Sequence, residues 1–176
     1  KKSKEELQRM LNEEPFERET LSFYKYTTID QNKLQILRDK LYCDLTKLSV
    51  FGRIYIANEG INAQISVPKH TKKLLYNYID TMEFLAEINI KNAIQDGQSF
   101  YKLTIKVKDE IVAYGVDENE YDMDKVGQHL SPKEFNLALE DSNTVVVDIR
   151  NHYESEVGKF KNAIIPDVDR SKELLL

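Results

Sequence analysis

The sequence predicts an α+β domain followed by the opening of an α/β domain, and three observations support this. Apolar residues alternate strictly with polar ones over residues 61–67, which is the period of a strand with one buried face. Leucines recur at three- and four-residue steps from Leu34 to Leu48, as in an amphipathic helix. Three valines at residues 145–147 are typical of a strand buried on both faces of a parallel sheet.

The chain opens with a helix and a strand. Residues 3–12 have a helical pattern that Pro15 would end, so residues 1–18 are predicted to hold an N-terminal helix. The aromatic-rich run from Thr20 to Thr27 predicts the first strand, and Asp30 can cap the leucine helix that follows. Residues 50–57 return to a strand pattern. The Asn-Glu-Gly turn at residues 58–60 joins them to the next strand, so residues 50–67 predict a hairpin.

A second helix and further extended segments complete the first domain. Pro68 opens this helix, and an extended segment begins near Ile88. Apolar and polar residues alternate again over residues 101–108. The resulting order, β-α-β-β-α-β, predicts a ferredoxin-like domain over residues 19–114. We expect its two helices to cover one face of an antiparallel sheet and to leave the other face free for a partner.

A change of pattern separates this domain from the next. Residues 115–125 are predicted to form an exposed linker, because five acids fall within ten positions: Asp117, Glu118, Glu120, Asp122 and Asp124. Ser131, Pro132 and Glu134 then have the spacing of a capped helix start. We therefore assign residues 126–176 to a second, α/β domain.

Charge and composition limit the classes of function. Residues 1–114 hold 18 Lys+Arg and 16 Asp+Glu, a net +2, whereas residues 115–176 hold 7 and 14, a net −7. A contact with a polyanion would therefore favour the first part. No apolar run approaches the roughly 20 residues of a membrane helix. The start lacks a signal-peptide pattern, and the single cysteine fits a reducing compartment, so we expect a cytoplasmic protein with no membrane partner.

The segment 145–166 resembles the opening signature of rhodanese domains. An apolar strand ends in Asp148-x-Arg150, Glu154 follows four residues later, and then come Gly, Ala and Pro; Lys159 departs from the His that many rhodaneses carry there. Asp148 can accept backbone N–H groups, and Arg150 can pair with Glu154 to support the loop. An ordinary strand-end salt bridge is the alternative interpretation of this cluster. The predicted α/β domain is thus a partial rhodanese domain.

Three stretches together are similar to the tRNA uridine hydroxylase family, whose members contain a rhodanese domain. They are residues 22–26, 50–66 and 148–154. The resemblance implies oxygen-dependent 5-hydroxylation of the wobble uridine, with tRNA as partner and molecular oxygen as co-substrate. It also implies that the essential cysteine lies in a rhodanese loop outside this chain. We therefore expect no catalytic residue in this chain, and no activity from it alone. The chain begins without Met and ends in an apolar stretch, so we expect the natural protein to be longer.

Cys43 and the histidines do not suggest a reactive or metal-binding site. Cys43 lies about 200° around the leucine helix from Leu41, so we expect a partly exposed or domain-contact residue, with a reactive thiol as the alternative. His70, His129 and His152 are isolated and lack ligand spacing, so no metal site is predicted. No other cofactor is evident.

Polar and aromatic side chains on the hairpin and the last strand suggest an RNA contact. A sheet face with aromatic, amide and cationic groups can stack a base and contact phosphates. The candidates are Arg53, Tyr55, Asn58, Glu59, Asn62, Lys102, Lys106 and Lys108. The alternative is a solvated face with no ligand. A non-catalytic RNA- or ligand-binding module and a rhodanese-type sulfurtransferase also remain open. An acylphosphatase-like hydrolase is disfavoured, because no Gly-rich turn with an Arg/Asn pair can be placed.

Overall fold

The structure, a computed structural model, describes residues 2–96, 99–112, 125, 127–150, 152–167 and 173. The chain divides into two compact units, residues 1–112 and 113–176. The predicted acidic linker at residues 115–125 lies outside the described residues, apart from Lys125.

The described part of the first unit contains helices and a mixed sheet. Its helices are α1 (Lys4–Asn12), α2 (Leu34–Lys47) and α3 (Lys72–Asp80). Its strands are β1 (Arg18–Tyr26), β2 (Phe51–Ala57), β3 (Gly60–Pro68), β4 (Lys91–Asp96) and β5 (Leu103–Val107). Single 3-10 turns occur at Gln31–Lys33, Lys69–Thr71 and Glu83–Leu85.

The strands lie in the order β4-β1-β3-β2-β5. Strand β1 is antiparallel to both β3 and β4, and β2 is antiparallel to β3. The α+β class is confirmed, and the first four strands have the ferredoxin-like order. The expectation of a wholly antiparallel sheet was wrong, because β5 adds to the free edge of β2 in parallel. Alternating side chains specify the two faces of a strand but neither its neighbour nor its direction.

The core lies between α2, α3 and one face of the sheet. Its buried side chains include Leu21, Phe23, Leu34, Leu41, Leu45, Ile54, Ile56, Ile61, Ile65, Leu75 and Ile79. The strand residues among them alternate with residues that point to the opposite face, which we call the open face. Burial of the apolar side therefore determines which side chains the open face presents.

Arg18 ties the N-terminal segment to one end of the sheet. Its side chain is only 1% exposed and forms a two-pronged ion pair with Glu14, with Nη2 2.8 Å from Oε1. Its Nη1 donates to the carbonyl oxygens of Ser49 at 2.9 Å and Ser66 at 3.3 Å. The guanidinium carbon lies 4.0 Å from the centroid of the Phe51 ring. A planar guanidinium serves all these partners at once, which a lysine could not do.

The described part of the second unit contains α4 (Pro132–Glu140) and α5 (His152–Val157). Ser131 and Glu134 form the expected capping box, with Pro132 in the first turn. Val147 pairs in parallel with Ile164 through a single bridge. The expectation that the valine run is a core strand was wrong here, since Val145 is 69% exposed and Val147 is 50% exposed. Burying a parallel strand requires cover on both faces. Among the described residues, the valine run forms a single backbone bridge, between Val147 and Ile164, and has no further strand beside it.

Candidate nucleic-acid interface

Two rows of side chains cross the open face in register. The first, which we call the tyrosine row, is Tyr24, Asn62, Tyr55 and Lys106, on β1, β3, β2 and β5. The second, the arginine row, is Lys91, Ser22, Gln64, Arg53 and Thr104, and it spans all five strands. Neighbouring strands are about 4.8 Å apart, so each row is a continuous line of polar and aromatic groups.

The aromatic side chains of this face are accessible and held by neighbours. Tyr24 is 57% exposed. Its ring meets the Tyr26 ring at a centroid distance of 6.4 Å and an interplanar angle of 77°, an edge-to-face contact. The Lys108 ammonium lies 5.9 Å from the centroid of the Tyr55 ring, within the range of a cation–π contact. Each of these two rings therefore contacts a neighbouring side chain.

The charged groups of the two rows are all cationic. Arg53 is exposed on β2, Lys106 is exposed on the edge strand β5, and Lys91 is exposed on the opposite edge strand, β4. Arg53 Nη2 lies 3.5 Å from the Gln64 side-chain oxygen, and its guanidinium carbon lies 5.7 Å from the Phe100 ring centroid. Neither row contains a carboxyl group, so the charged side chains within the two rows are all cationic, although the chain has a net charge of −5.

The turn between β2 and β3 fixes the segment that follows β5. Glu59 is buried, and its Oε1 accepts the backbone N–H of Ile111 at 2.6 Å. Asn62 Nδ2 donates to the carbonyl oxygen of Ile111 at 3.3 Å. The carbonyl oxygens of Asn58 and Glu59 accept backbone N–H groups of Ile29 and Thr27. Asn58 and Glu59 thus support the fold beside the open face, and a direct RNA contact by either stays a prediction.

The structure brings only some of the predicted RNA-binding residues together. Arg53, Tyr55, Asn62 and Lys106 share the open face, and Lys108 lies against Tyr55. Lys102 comes just before β5, with its ammonium 6.0 Å from the Tyr101 ring centroid.

In the second unit, Asp148 and Arg150 form a compact ion pair. Asp148 accepts from Arg150 Nε at 2.9 Å, from Nη2 at 2.7 Å and from the Arg150 backbone N–H at 3.2 Å. Arg150 Nη2 also donates to the carbonyl oxygen of Gly158 at 2.7 Å. The hydrogen bonds from Arg150 lower the pKa of Asp148 to about 2. Asp148 in turn raises the pKa of Arg150, and the charge of Glu154 adds a smaller contribution.

Cys43 is exposed on α2, as its helical angle predicts. Within the part of the chain that the structure describes, no three His, Cys, Asp or Glu residues lie close enough to hold a metal ion. Likewise, none of the described helices has the length and apolar character needed to cross a membrane.

A family model provides the comparison that identifies the chain. Residues 18–111, which contain the whole open face, match the UPF0176 acylphosphatase-like domain. The chain belongs to the UPF0176 family. That assignment agrees with the mixed five-stranded sheet.

Curated relatives of this UPF0176 chain share one name, tRNA uridine(34) hydroxylase. The protein of that name from Leptospira interrogans is 48% identical over 98% of this chain and 47% of its own length. Those from Hamiltonella defensa and Photorhabdus laumondii are 43% and 45% identical, each over 98% of this chain and 49% of their own length. The resemblance to the tRNA uridine hydroxylase family is thus confirmed. The chain spans about half the length of the curated relatives it matches.

Likeness to solved structures is weak. The dark-state structure of BlrB, a BLUF protein, is 15% identical with a TM-score of 0.37, over 52% of this chain and 74% of that chain. So low a score supports no conclusion about this UPF0176 chain.

Tyr24 and Lys91 also lie on the open face but are not among the residues that the sequence predicted as RNA contacts. Tyr24 alternates with buried Phe23 on β1, a period-two signal that would have placed it on the open face. Lys91 gave no such signal, because its position depends on pairing with Ser22 on a strand that is distant in sequence.

Proposed function

We propose that this chain is part of a tRNA-modifying enzyme and that the open face of its first unit binds tRNA. The observation that carries the proposal is its 43–48% identity, over 98% of the chain, to proteins named tRNA uridine(34) hydroxylase. For the complete protein we propose 5-hydroxylation of the wobble uridine, with molecular oxygen as co-substrate. A tRNA substrate would place the enzyme in the cytoplasm.

The charge distribution supports RNA binding by the first unit. Residues 1–114 have a net charge of +2 and residues 115–176 a net charge of −7, so phosphates are attracted to the first part. Within it, the two rows concentrate Lys91, Arg53 and Lys106 beside exposed aromatic and amide groups. Proteins that bind single-stranded nucleic acid commonly combine cations that follow the backbone with rings that stack on bases.

Cys43 is poorly suited to be the reactive cysteine. A nucleophilic thiolate is stabilised by inward-pointing N–H groups or nearby cations. Cys43 lies within α2, where backbone N–H groups donate to helix carbonyls, and its side chain is exposed. Because it is the only cysteine here, we propose that the sulfur chemistry belongs to another part of the complete protein. The Asp148–Arg150 loop would support the opening of that rhodanese domain.

Salt-dependent binding of tRNA tests the role of the open face. Each cation that contacts a phosphate contributes about one to the slope of log affinity against log salt concentration. We expect Lys106→Gln and Arg53→Gln each to lower the slope by about one. Lys47→Gln, an exposed cation on α2, should leave it unchanged. Equal effects of all three substitutions, or no binding by the wild-type chain, would rule out this face as the tRNA site.

An activity assay tests the proposal about the cysteine. The chain alone should neither hydroxylate tRNA nor transfer sulfur from thiosulfate to cyanide. Turnover that disappears in Cys43→Ser would show that Cys43 reacts, and the proposal would be wrong.

A further inference from the structure

The arginine row lies between two covered stretches of the open face. Three successive open-face residues of the central strand β3 differ in burial: Asn62, Gln64 and Ser66. Ser66 is 0% exposed and Asn62 is partly buried, whereas Gln64 between them is exposed. The arginine row, to which Gln64 belongs, is therefore the floor of a groove that crosses the strands. We call it the cross-strand groove.

The segment that follows β5 forms one side of the cross-strand groove. Ile111 is 2% exposed, and its carbonyl oxygen accepts from Asn62 Nδ2 at 3.3 Å. Its backbone N–H group is held by the buried Glu59 carboxyl group at 2.6 Å. Two hydrogen bonds therefore fix this side to the sheet.

The other side of the groove lies over the positions in register with Ser66. These positions are Thr20 on β1 and Phe51 on β2. Thr20 Oγ1 lies 3.3 Å from the hydroxyl oxygen of Ser99, in the segment before β5. The Phe51 ring lies 4.0 Å from the Arg18 guanidinium carbon. Both ends of the open face are thus covered, and the arginine row between them is accessible.

The dimensions of the floor suit a single nucleic-acid strand. Asn62 and Ser66 are four residues apart on β3, which places the two sides about 13 Å apart between Cα atoms. The row crosses five strands, a length of about 19 Å. A single strand is one backbone and one row of bases wide. A duplex has two backbones separated by a groove and is broader than this floor.

The side chains of the floor suit a phosphate backbone. Lys91 and Arg53 are both exposed and lie on β4 and β2, three strand spacings or about 14 Å apart. At about 3.4 Å of rise per stacked nucleotide, this distance spans roughly four nucleotides. Ser22 and Gln64 lie between the two cations, and their hydroxyl and amide groups can hydrogen-bond phosphate or sugar oxygens.

We propose that a single RNA strand lies in the cross-strand groove, perpendicular to the β-strands, with phosphates at Lys91 and Arg53 about four nucleotides apart. This inference rests on the proposed RNA-binding function and specifies the form of RNA that the face takes. Unpaired loop nucleotides fit the groove, whereas paired ones do not. Lys91 becomes an RNA-binding residue of the edge strand.

A carboxyl group placed on the groove floor tests the path of the strand. Gln64→Glu adds a negative charge at the middle of the groove, whereas Asn77→Asp adds the same charge at an exposed position of α3, on the helix-covered side of the sheet. The probes are octauridylate and an RNA duplex of eight base pairs, each titrated with the full chain by fluorescence anisotropy. We expect Gln64→Glu to weaken octauridylate binding about fivefold more than Asn77→Asp, because a phosphate lies close to the new charge. The two variants should affect duplex binding equally.

The salt dependence of octauridylate binding tests the two ends of the groove. Each phosphate contact to a single strand contributes about 0.7 to the slope of log affinity against log salt concentration. Lys91→Gln and Arg53→Gln should each lower the slope by about that amount. Lys73→Gln removes an exposed cation of α3 and should leave the slope unchanged. Circular dichroism verifies that every variant is folded.

The outcomes distinguish this inference from the function on which it rests. If Arg53→Gln and Lys106→Gln lower the slope for tRNA while Lys91→Gln and Gln64→Glu act like their α3 controls, the face binds RNA but not along the groove. An equal additional loss for duplex and octauridylate in Gln64→Glu would overturn the selection of a single strand. Absence of salt-dependent binding by the wild-type chain would overturn both proposals.

Discussion

Replacing Glu59 with alanine removes the acceptor for the buried N–H group of Ile111. The Glu59 oxygen lies 2.6 Å from that nitrogen, and Ile111 is only 2% exposed, so water cannot readily replace the lost partner. Leaving a buried donor unsatisfied costs roughly 1–3 kcal/mol. We expect Glu59→Ala to lower the free energy of unfolding of the first unit by about 2 kcal/mol. For a domain near this size, that is a fall in Tm of about 8 °C. Urea denaturation followed by circular dichroism measures the change.

Two further variants and one local probe make this prediction specific. Glu59→Gln retains a side-chain oxygen that can accept the N–H group of Ile111, so this variant should lower the free energy of unfolding by less than about 1 kcal/mol. Glu13→Ala removes only an exposed ion pair with Arg9 at 3.8 Å and should change stability by less than about 0.5 kcal/mol. Hydrogen exchange at the Ile111 amide should accelerate in Glu59→Ala. Unchanged exchange, or a stability equal to that of Glu13→Ala, would refute the assignment.

Three other predictions concern glycine, arginine and aspartate positions. Gly60 has φ 145°, and an added Cβ would lie 2.1 Å from the Lys25 carbonyl oxygen on β1. Gly60→Ala should therefore lower the free energy of unfolding, measured by urea denaturation, by at least about 2 kcal/mol. An added Cβ at Gly127 meets no atom within 4 Å, and Gly127→Ala should be neutral. Arg18→Lys keeps the positive charge but loses the hydrogen bonds of the guanidinium to Glu14 and Ser49. Thermal unfolding should show a free energy of unfolding lower by about 2–4 kcal/mol. An unchanged stability would contradict this network. The pKa of Asp148 is lowered from 3.8 to about 2, so its ion pair should stabilise the second unit above pH 4 and cease to do so as the pH falls through about 2. The stability difference between wild type and Asp148→Asn should therefore disappear across that range, and a difference that persists below pH 2 would count against the ion pair.

The turn prediction and the RNA proposal concern the same part of the molecule. Asn62 belongs to the tyrosine row, yet its Nδ2 and the Glu59 carboxyl group both hold Ile111. A substitution at Glu59 can therefore change RNA affinity by disturbing Asn62 without contacting RNA. Measuring stability and binding on the same Glu59 variants separates these effects.

Local sequence patterns were sufficient for several elements of both units. The alternation over residues 61–67 identified β3, the leucine spacing identified α2, and the residues at positions 131–134 identified the start of α4. These signals are reliable because side-chain direction within a strand or helix repeats with a short period, and capping groups lie within one turn of the bonds they complete. The exposure of Cys43 was predictable for the same reason.

Only the tertiary structure determined which distant residues meet. The sequence did not indicate that β5 runs parallel to β2, that Lys91 lies opposite Ser22, or that the valine run is exposed among the described residues. Nor did it indicate that Glu59, a candidate RNA contact, is buried and accepts the backbone N–H of Ile111. Strand neighbours, register and burial depend on hydrogen bonds and packing between segments far apart in the chain. The sequence by itself therefore determined which faces are polar, and tertiary packing determined how those faces combine into a surface.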